Sequence, residues 1–195
     1  MNKNYKLYLK CILSNENYAF VSNLDNNVKN VNLLMTIKSL YYLTFHFRFS
    51  SLFYSTQLVD IFSYEIPQTS VLNIESKKSN SSVVVYNFHI LNTQNRFFFF
   101  TKVGSSFSRR GGVLHSHQNV PSIAELFFAA NWLEREVSEL HSINFNGKKD
   151  LRNLMLQYGD STGPFQKSFP SIGTKEMFYN PIKDTIIQNP VSLQI

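Results

Sequence analysis

Apolar positions along this chain repeat in two rhythms. From Asn32 to about Phe47 the residues Leu33, Leu34, Ile37, Leu40, Tyr41 and Thr44 recur at helical spacing and predict an amphipathic helix. Runs rich in β-branched and aromatic residues follow: Leu58 to Ile66, stopped by Pro67, then Ser70 to Ile74, Ser82 to Ile90 and Arg96 to Val103. The last two are separated by a stretch, Leu91 to Asn95, whose length suits a hairpin loop. Phe97 to Phe100 is apolar on both alternating faces, which predicts an interior strand of a sheet covered on both sides. Gly104 to Asn119 shows no period and reads as a loop.

A second helix is predicted from Ser122, because Ser122 with Glu125 three residues on, behind Pro121, forms a capping-box signature. On it Leu126, Ala130, Leu133, Val137 and Leu140 make one core-facing stripe, flanked by Glu134 and Glu136. The opposite face carries Phe128, Trp132, Arg135 and Glu139, so the helix is expected to be covered on two sides. After Tyr158 regular structure is expected to stop: Gly159, Gly163, Pro164, Pro170, Gly173, Pro181 and Pro190 punctuate a stretch that Phe165, Phe169, Met177, Phe178, Tyr179, Ile182, Ile186 and Ile187 keep apolar. Such a segment reads as an arm laid over a neighbour, where apolar burial offsets the entropy of ordering it. The organisation expected is an N-terminal extension over residues 1–30, an α+β domain over 31–157 with a small mixed or antiparallel sheet packed by two main helices, and an extended, partner-wrapping C-terminal arm over 158–195.

Length and composition narrow the function. The 195 residues suit one compact domain with extensions. Charged residues are 16% of the chain against a usual share of about 25%, and 18 Phe and 10 Tyr accompany that deficit. A surface so short of charge points to a face hidden against partners. The net charge of +6 would suit a polyanion, but the basic residues are scattered and the densest groups are pairs such as Arg109 with Arg110, not a stripe that tracks phosphates. The one cysteine, Cys11, has no internal partner for a disulfide and fits a reducing compartment. No membrane span is expected, since the window Leu33 to Phe49 is interrupted by Lys38, His46 and Arg48. Met1 to Lys10 leads into no cleavable signal. The excess of Phe, Asn, Ile, Tyr and Lys is what AT-rich codons specify, as in an organelle genome.

Candidate chemistry is sparse. His115 and His117 form an H-x-H pair without nearby Cys, Asp or Glu, too few ligands for zinc. Glu134 and Glu136 lie on opposite sides of the predicted helix and do not converge as a carboxylate pair. No G-x-S-x-G elbow or Gly-rich phosphate loop occurs. The residues taken alone favour a scaffold protein over an enzyme. A basic organellar ribosomal or RNA-associated protein is the alternative, and a soluble hydrolase built on His115 or His141 a third.

The run Ala130-Asn131-Trp132-Leu133-Glu134-Arg135-Glu136-Val137 closely resembles the 30 kDa (C-type) subunit family of respiratory complex I, NADH:ubiquinone oxidoreductase. Glu139-Leu140, Ile143, Asp150-Leu151-Arg152, Leu154, Tyr158-Gly159, Pro164, Lys167, Phe169-Pro170 and Gly173 continue the likeness. Upstream, Leu58-Val59-Asp60-Ile61, Val84-Val85-Tyr86, Asn95-Arg96 and Val120-Pro121-Ser122-Ile123 extend it, from about residue 32 to about 175. The family pattern is departed from at His141, Ser142, Lys148, Lys149, Gln166 and Ser168, which fall in the turn after the helix and in the arm. The resemblance implies a non-catalytic subunit of the quinone-reducing module, in the matrix-side peripheral arm at the mitochondrial inner membrane. It also implies no cofactor, no catalytic residue and no metal in this chain, no nucleic acid, and hetero-oligomeric contact with other complex I subunits, chiefly the D-type and B-type homologues. The interface residues it implies are Trp132, Glu134, Arg135, Glu136, Arg152, Pro164, Lys167, Phe169 and Pro170. Glu134, Arg135 and Glu136 are expected to form charge-assisted hydrogen bonds, two within the domain and one across an interface, with Trp132 as anchor.

Overall fold

A computed structural model of the chain describes residues 19–21, 30–53, 55–66, 81–92, 95–107, 115–117, 119–158 and 163–192. It is an α+β fold. The strands are β1 (Ala19–Val21), β2 (Asn30–Met35), β3 (Thr56–Ile66), β4 (Ser81–Ile90), β5 (Asn95–Phe107), β6 (His115–His117), β7 (Val120–Pro121), β8 (Phe145–Asn146), β9 (Lys175–Asn180) and β10 (Thr185–Pro190); the helices are α1 (Ile37–Phe49) and α2 (Ala130–His141). The main sheet runs β1-β2-β5-β4-β3, with β6 also on β5. It is mixed, because β2 runs parallel to β5 while the other pairs are antiparallel.

The β4–β5 hairpin forms as the sequence predicts, with Phe88 opposite Phe97 and Tyr86 opposite Phe99. In β3 a register shift between Leu58 and Asp60 inserts an extra residue, so that Leu58 and Ile61, three apart, both turn into the core. Both helices contribute to one hydrophobic cluster. Its centre is aromatic: Phe47 of α1 stacks on Phe53 at 4.4 Å and meets Phe99 edge-on at 5.1 Å and Phe97 at 5.3 Å. Such offset and edge contacts add to what area burial alone supplies.

Several expectations are corrected. Residues 30–35 are a strand, not the start of a helix: Leu33 is buried and Leu34 exposed, an alternation of period two, and β5 supplies the partner backbone. Thr36 then starts α1, its hydroxyl accepting from the Ser39 N–H at 3.4 Å. Part of the stretch expected as a loose N-terminal extension, Ala19–Val21, is an edge strand on β2. The expected loop after residue 103 instead continues β5 to Phe107 and returns as β6, with Phe107 opposite His115 and Ser105 opposite His117. The stretch Ser70 to Ile74 lies outside the described residues. Cover on the second sheet face is partial: Phe97 and Phe99 are buried, while Phe98 and Phe100 are half-buried and Leu34, Phe62 and Tyr64 exposed. Among the described residues no helix is long and apolar enough to cross a membrane.

Two further corrections bear on the site. α2 begins at Ala130 rather than Ser122, and its N-cap Ala129 makes no side-chain cap bond. The Ser122 hydroxyl is engaged by Glu134, and Ile123 and Phe127 are pulled into the core through single turns, Phe127 N–H to Ile123 C=O at 3.0 Å and Ala130 N–H to Phe127 C=O at 2.9 Å. The region after Tyr158 is not free of regular structure: β9 and β10 pair as an antiparallel hairpin, Phe178 opposite Ile187 and Tyr179 opposite Ile186. The β-branched and aromatic content of both strands outweighs their flanking prolines, since Pro181 falls in the turn and Pro190 at a strand end.

Candidate partner-binding site

Three side chains of α2 reach out to the rest of the domain, each to a different segment. Glu134 is fully buried and accepts the Ser122 hydroxyl at 2.7 Å, the Ile123 N–H at 2.8 Å and the Lys148 ammonium at 3.2 Å. Lys148 also donates to the Asn131 carbonyl at 2.8 Å. Burial pushes the Lys148 ammonium below its ordinary range, a push that Glu134 opposes. One helix residue thereby joins the strand before α2 to the turn after it.

Arg135, one residue on, serves the segment 150–153. Its Nε donates to the Arg152 carbonyl at 2.8 Å, another nitrogen to the Asn153 carbonyl at 3.3 Å, and a third faces the Asp150 carboxylate at 3.5 Å. The guanidinium also lies over the Trp132 ring, 5.4 Å from its centroid. Asp150 is gripped by Arg152 at 2.9 and 3.0 Å, and these bonds hold its carboxyl well below the usual carboxylate range. Glu139 accepts the backbone N–H groups of Leu154 at 2.8 Å, of Met155 at 3.1 Å and of Leu156. Burial raises the Glu139 carboxyl, but the three N–H bonds and the nearby Arg135 outweigh it and leave it below its ordinary value. A polar cleft of ≈ 440 Å³ opens between α2 and this segment.

The root of the C-terminal arm closes the other end of the helix. Gly163 N–H donates to the Glu139 carbonyl at 2.9 Å, Phe165 N–H to the Leu140 carbonyl at 3.0 Å and the Gln166 amide to the His141 carbonyl at 3.0 Å. Carbonyls that a helix end leaves unpaired are thus satisfied by the arm. The ring of His141 packs edge-on to Phe165 at 5.5 Å, and Lys167 N–H donates to Glu65 of β3 at 2.7 Å. Burial lowers the pKa of His141, and Glu65 partly offsets this.

Of the residues expected at an interface, Glu134 and Arg135 are turned inward and hold the domain together. Glu136 is half-buried and has no hydrogen bond or ion pair among the described residues. Trp132 is 57% exposed. Arg152, Lys167 and Pro170 are exposed, and Pro164 and Phe169 half-buried. Leu133 and Leu140 of the expected core stripe are only half-buried, while Arg135 and Glu139 on the opposite face are buried. Sequence reasoning missed Glu139, Lys148 and Asp150 as organising residues. The departures at Lys148 and Gln166 prove structural, the first as the partner of Glu134 and the second as a cap on α2. Among the described residues no three His, Cys, Asp or Glu side chains are grouped to hold a metal.

Comparison with known proteins follows the same residues. The family described as respiratory-chain NADH dehydrogenase, 30 Kd subunit, matches residues 27–175. NADH-ubiquinone oxidoreductase subunit 9 of Paramecium primaurelia is 38% identical over 108 residues, 55% of this chain and 46% of that protein. The C subunit of NADH-quinone oxidoreductase from Acidithiobacillus ferrooxidans is 44% identical over 71 residues, 36% of this chain and 35% of that one. Its counterpart from Methylibium petroleiphilum is 43% identical over 75 residues, 38% and 37% of the two chains. The match thus spans less than half the length of these relatives. Among solved structures, a chain of the membrane-bound sulfane sulfur reductase, an archaeal respiratory membrane complex, superposes with a TM-score of 0.50 at 10% identity, covering 80% of this chain and 77% of that one. That likeness concerns the fold alone.

Proposed function

This chain belongs to the respiratory-chain NADH dehydrogenase 30 kDa subunit family, and we propose that it is a non-catalytic structural and assembly subunit of the quinone-reducing module in the peripheral arm of proton-pumping NADH:ubiquinone oxidoreductase. It supports electron transfer from NADH to ubiquinone by holding cofactor-bearing neighbours, chiefly the D-type and B-type homologues, in fixed positions. Its place is the matrix side of the mitochondrial inner membrane, in a hetero-oligomer. Domain 31–157 is the rigid body and 158–195 the arm that reaches the neighbour.

One observation carries this reading: the arm is rooted on α2 yet ends in a hairpin that has no core of its own. A two-stranded hairpin is marginal in water, and here Ile182 is 92% exposed, Ile186 74% and Met177 64%. Such apolar surface needs a neighbour to cover it. Trp132, which Arg135 overlies, and Arg152, which lines the same cleft as Gln166 of the root, present an exposed aromatic and cation, residue types that interfaces favour. Arg135 holds the backbone that carries Arg152, so the rigidity of α2 is transmitted to the contact surface.

Removing residues 159–195 tests the proposal. The shortened chain is expected to keep the circular dichroism of a folded domain and to be lost from the NADH dehydrogenase band on native gels. Normal incorporation of the truncated chain would reject the arm as the clamp.

A further inference from the structure

The outward face of α1 is a second candidate contact surface, separate from the arm. A helix with one apolar stripe covers its domain with that stripe and turns polar residues to water. α1 does not. Its inner side, Leu40, Leu43, Thr44 and Phe47, is buried, but its outer side carries Tyr42 at 51%, Phe45 at 45% and Phe49 at 66% exposure. Phe45 and Phe49 already touch, centroids 4.6 Å apart, and Tyr42 meets His46 at 4.5 Å. Desolvated aromatics with phenolic hydroxyls are what protein interfaces select.

Charge says what covers it. The helix contains no Asp or Glu, while Lys38 and Arg48 are exposed towards its two ends and take part in no ion pair among the described residues, although the Arg48 guanidinium also lies over the Phe127 ring, 5.8 Å from its centroid. Ten residues of helix separate them by about 15 Å. The matching surface is an apolar groove with carboxylates towards both ends. A second copy of this chain would bring the same cations and repel. Segments of this chain outside the described residues do not supply carboxylates for both ends: residues 1–18 hold Lys3, Lys6 and Lys10 against Glu16, 67–80 hold Lys77 and Lys78 against Glu75, 108–114 hold Arg109 and Arg110 with no acid, and 22–29 and 159–162 hold a single acid each, Asp25 and Asp160. Anionic lipid is read by clusters of about four to eight basic residues, and here there are two. We propose that the outer face of α1 docks a different protein chain, in an apolar groove whose rim carries Asp or Glu opposite Lys38 and Arg48.

The test keeps the full chain in its cell. Phe49 is replaced by p-benzoylphenylalanine for photo-crosslinking, and zero-length carbodiimide coupling joins Lys38 to any carboxylate in contact. Both products are mapped by mass spectrometry. The expected result is one partner chain in both, with Lys38 joined to its Asp or Glu, and a yield at Phe49 reduced about tenfold in Lys38→Glu/Arg48→Glu. Products with lipid, with this chain itself or with a second copy overturn the proposal, as do absent products or a yield indifferent to charge reversal. The same photoprobe at Ile182 reports the arm, so loss there with retention at Phe49 would fault the arm's role and leave this surface standing.

Discussion

The Lys148 ammonium donates to the Glu134 carboxylate at 3.2 Å, with the two side chains 1% and 0% exposed. An ion pair so withdrawn from water depends on its complete set of hydrogen bonds, and both groups have them: Ser122 and Ile123 for the carboxylate, Asn131 for the ammonium. Removing one partner leaves a charge that the interior does not solvate. Lys148→Met is therefore expected to cost about 3 to 5 kcal/mol in urea unfolding. The double variant Lys148→Met/Glu134→Gln should recover part of that loss, since neither position then carries a charge. Equal stability of Lys148→Met and the parent protein would show that the pair is not desolvated.

Glu139 organises residues 154–156 by accepting their N–H groups. Glu139→Ala should weaken the domain by about 2 to 3 kcal/mol, the scale of hydrogen bonds to a charged group. Hydrogen exchange locates the effect: the amides of Leu154, Met155 and Leu156 should exchange faster, while those of β4 keep their protection. Uniform acceleration would mean global rather than local opening.

His141 makes the root of the arm sensitive to acid. Burial, partly offset by Glu65, puts its folded pKa below the ordinary 6.5. The unfolded chain therefore takes up a proton first as pH falls. Stability is fully present above about pH 6.5 and is lost as pH drops through 6.5 towards the folded value. Thermal melting between pH 5 and 8 should show this decline, and His141→Gln should flatten it. An unchanged slope in the variant would assign the decline to other groups.

Gly163 and Gly173 share φ +87°, yet differ in space. A Cβ at Gly163 would stand 2.6 Å from the Ser142 hydroxyl, whereas at Gly173 nothing lies within 4 Å. Gly173→Ala should cost about 1 to 2 kcal/mol through its left-handed backbone. Gly163→Ala should cost more, and should release the arm root from α2, read as faster exchange at Phe165 N–H. Equal costs would mean that Ser142 yields freely.

Much of the sheet could be read before any coordinates, because β4 and β5 carry their own propensity and their partner is the next strand along. β2 misleads because Leu33, Leu34 and Ile37 fit a helix equally well; its strand state needs β5, over sixty residues away, to run parallel beside it. The capping signature at Ser122 fails for a related reason: its hydroxyl accepts the Ala124 N–H at 3.3 Å but donates at 2.7 Å to Glu134, twelve residues on, and the chain passes through single turns before the helix begins at Ala130. Glu139 left no trace in spacing, since its partners are backbone N–H groups that any residue supplies.

The sequence by itself determined the family, the α+β class, the central hairpin and the helix bearing Glu134 and Arg135, because these rest on local residue order and pattern. Only the tertiary structure decided which charges turn inward, that Lys148 completes Glu134, that the arm caps α2 and that α1 leaves an aromatic face open. Those outcomes depend on distances between segments remote along the chain, and such distances exist only once the core has closed.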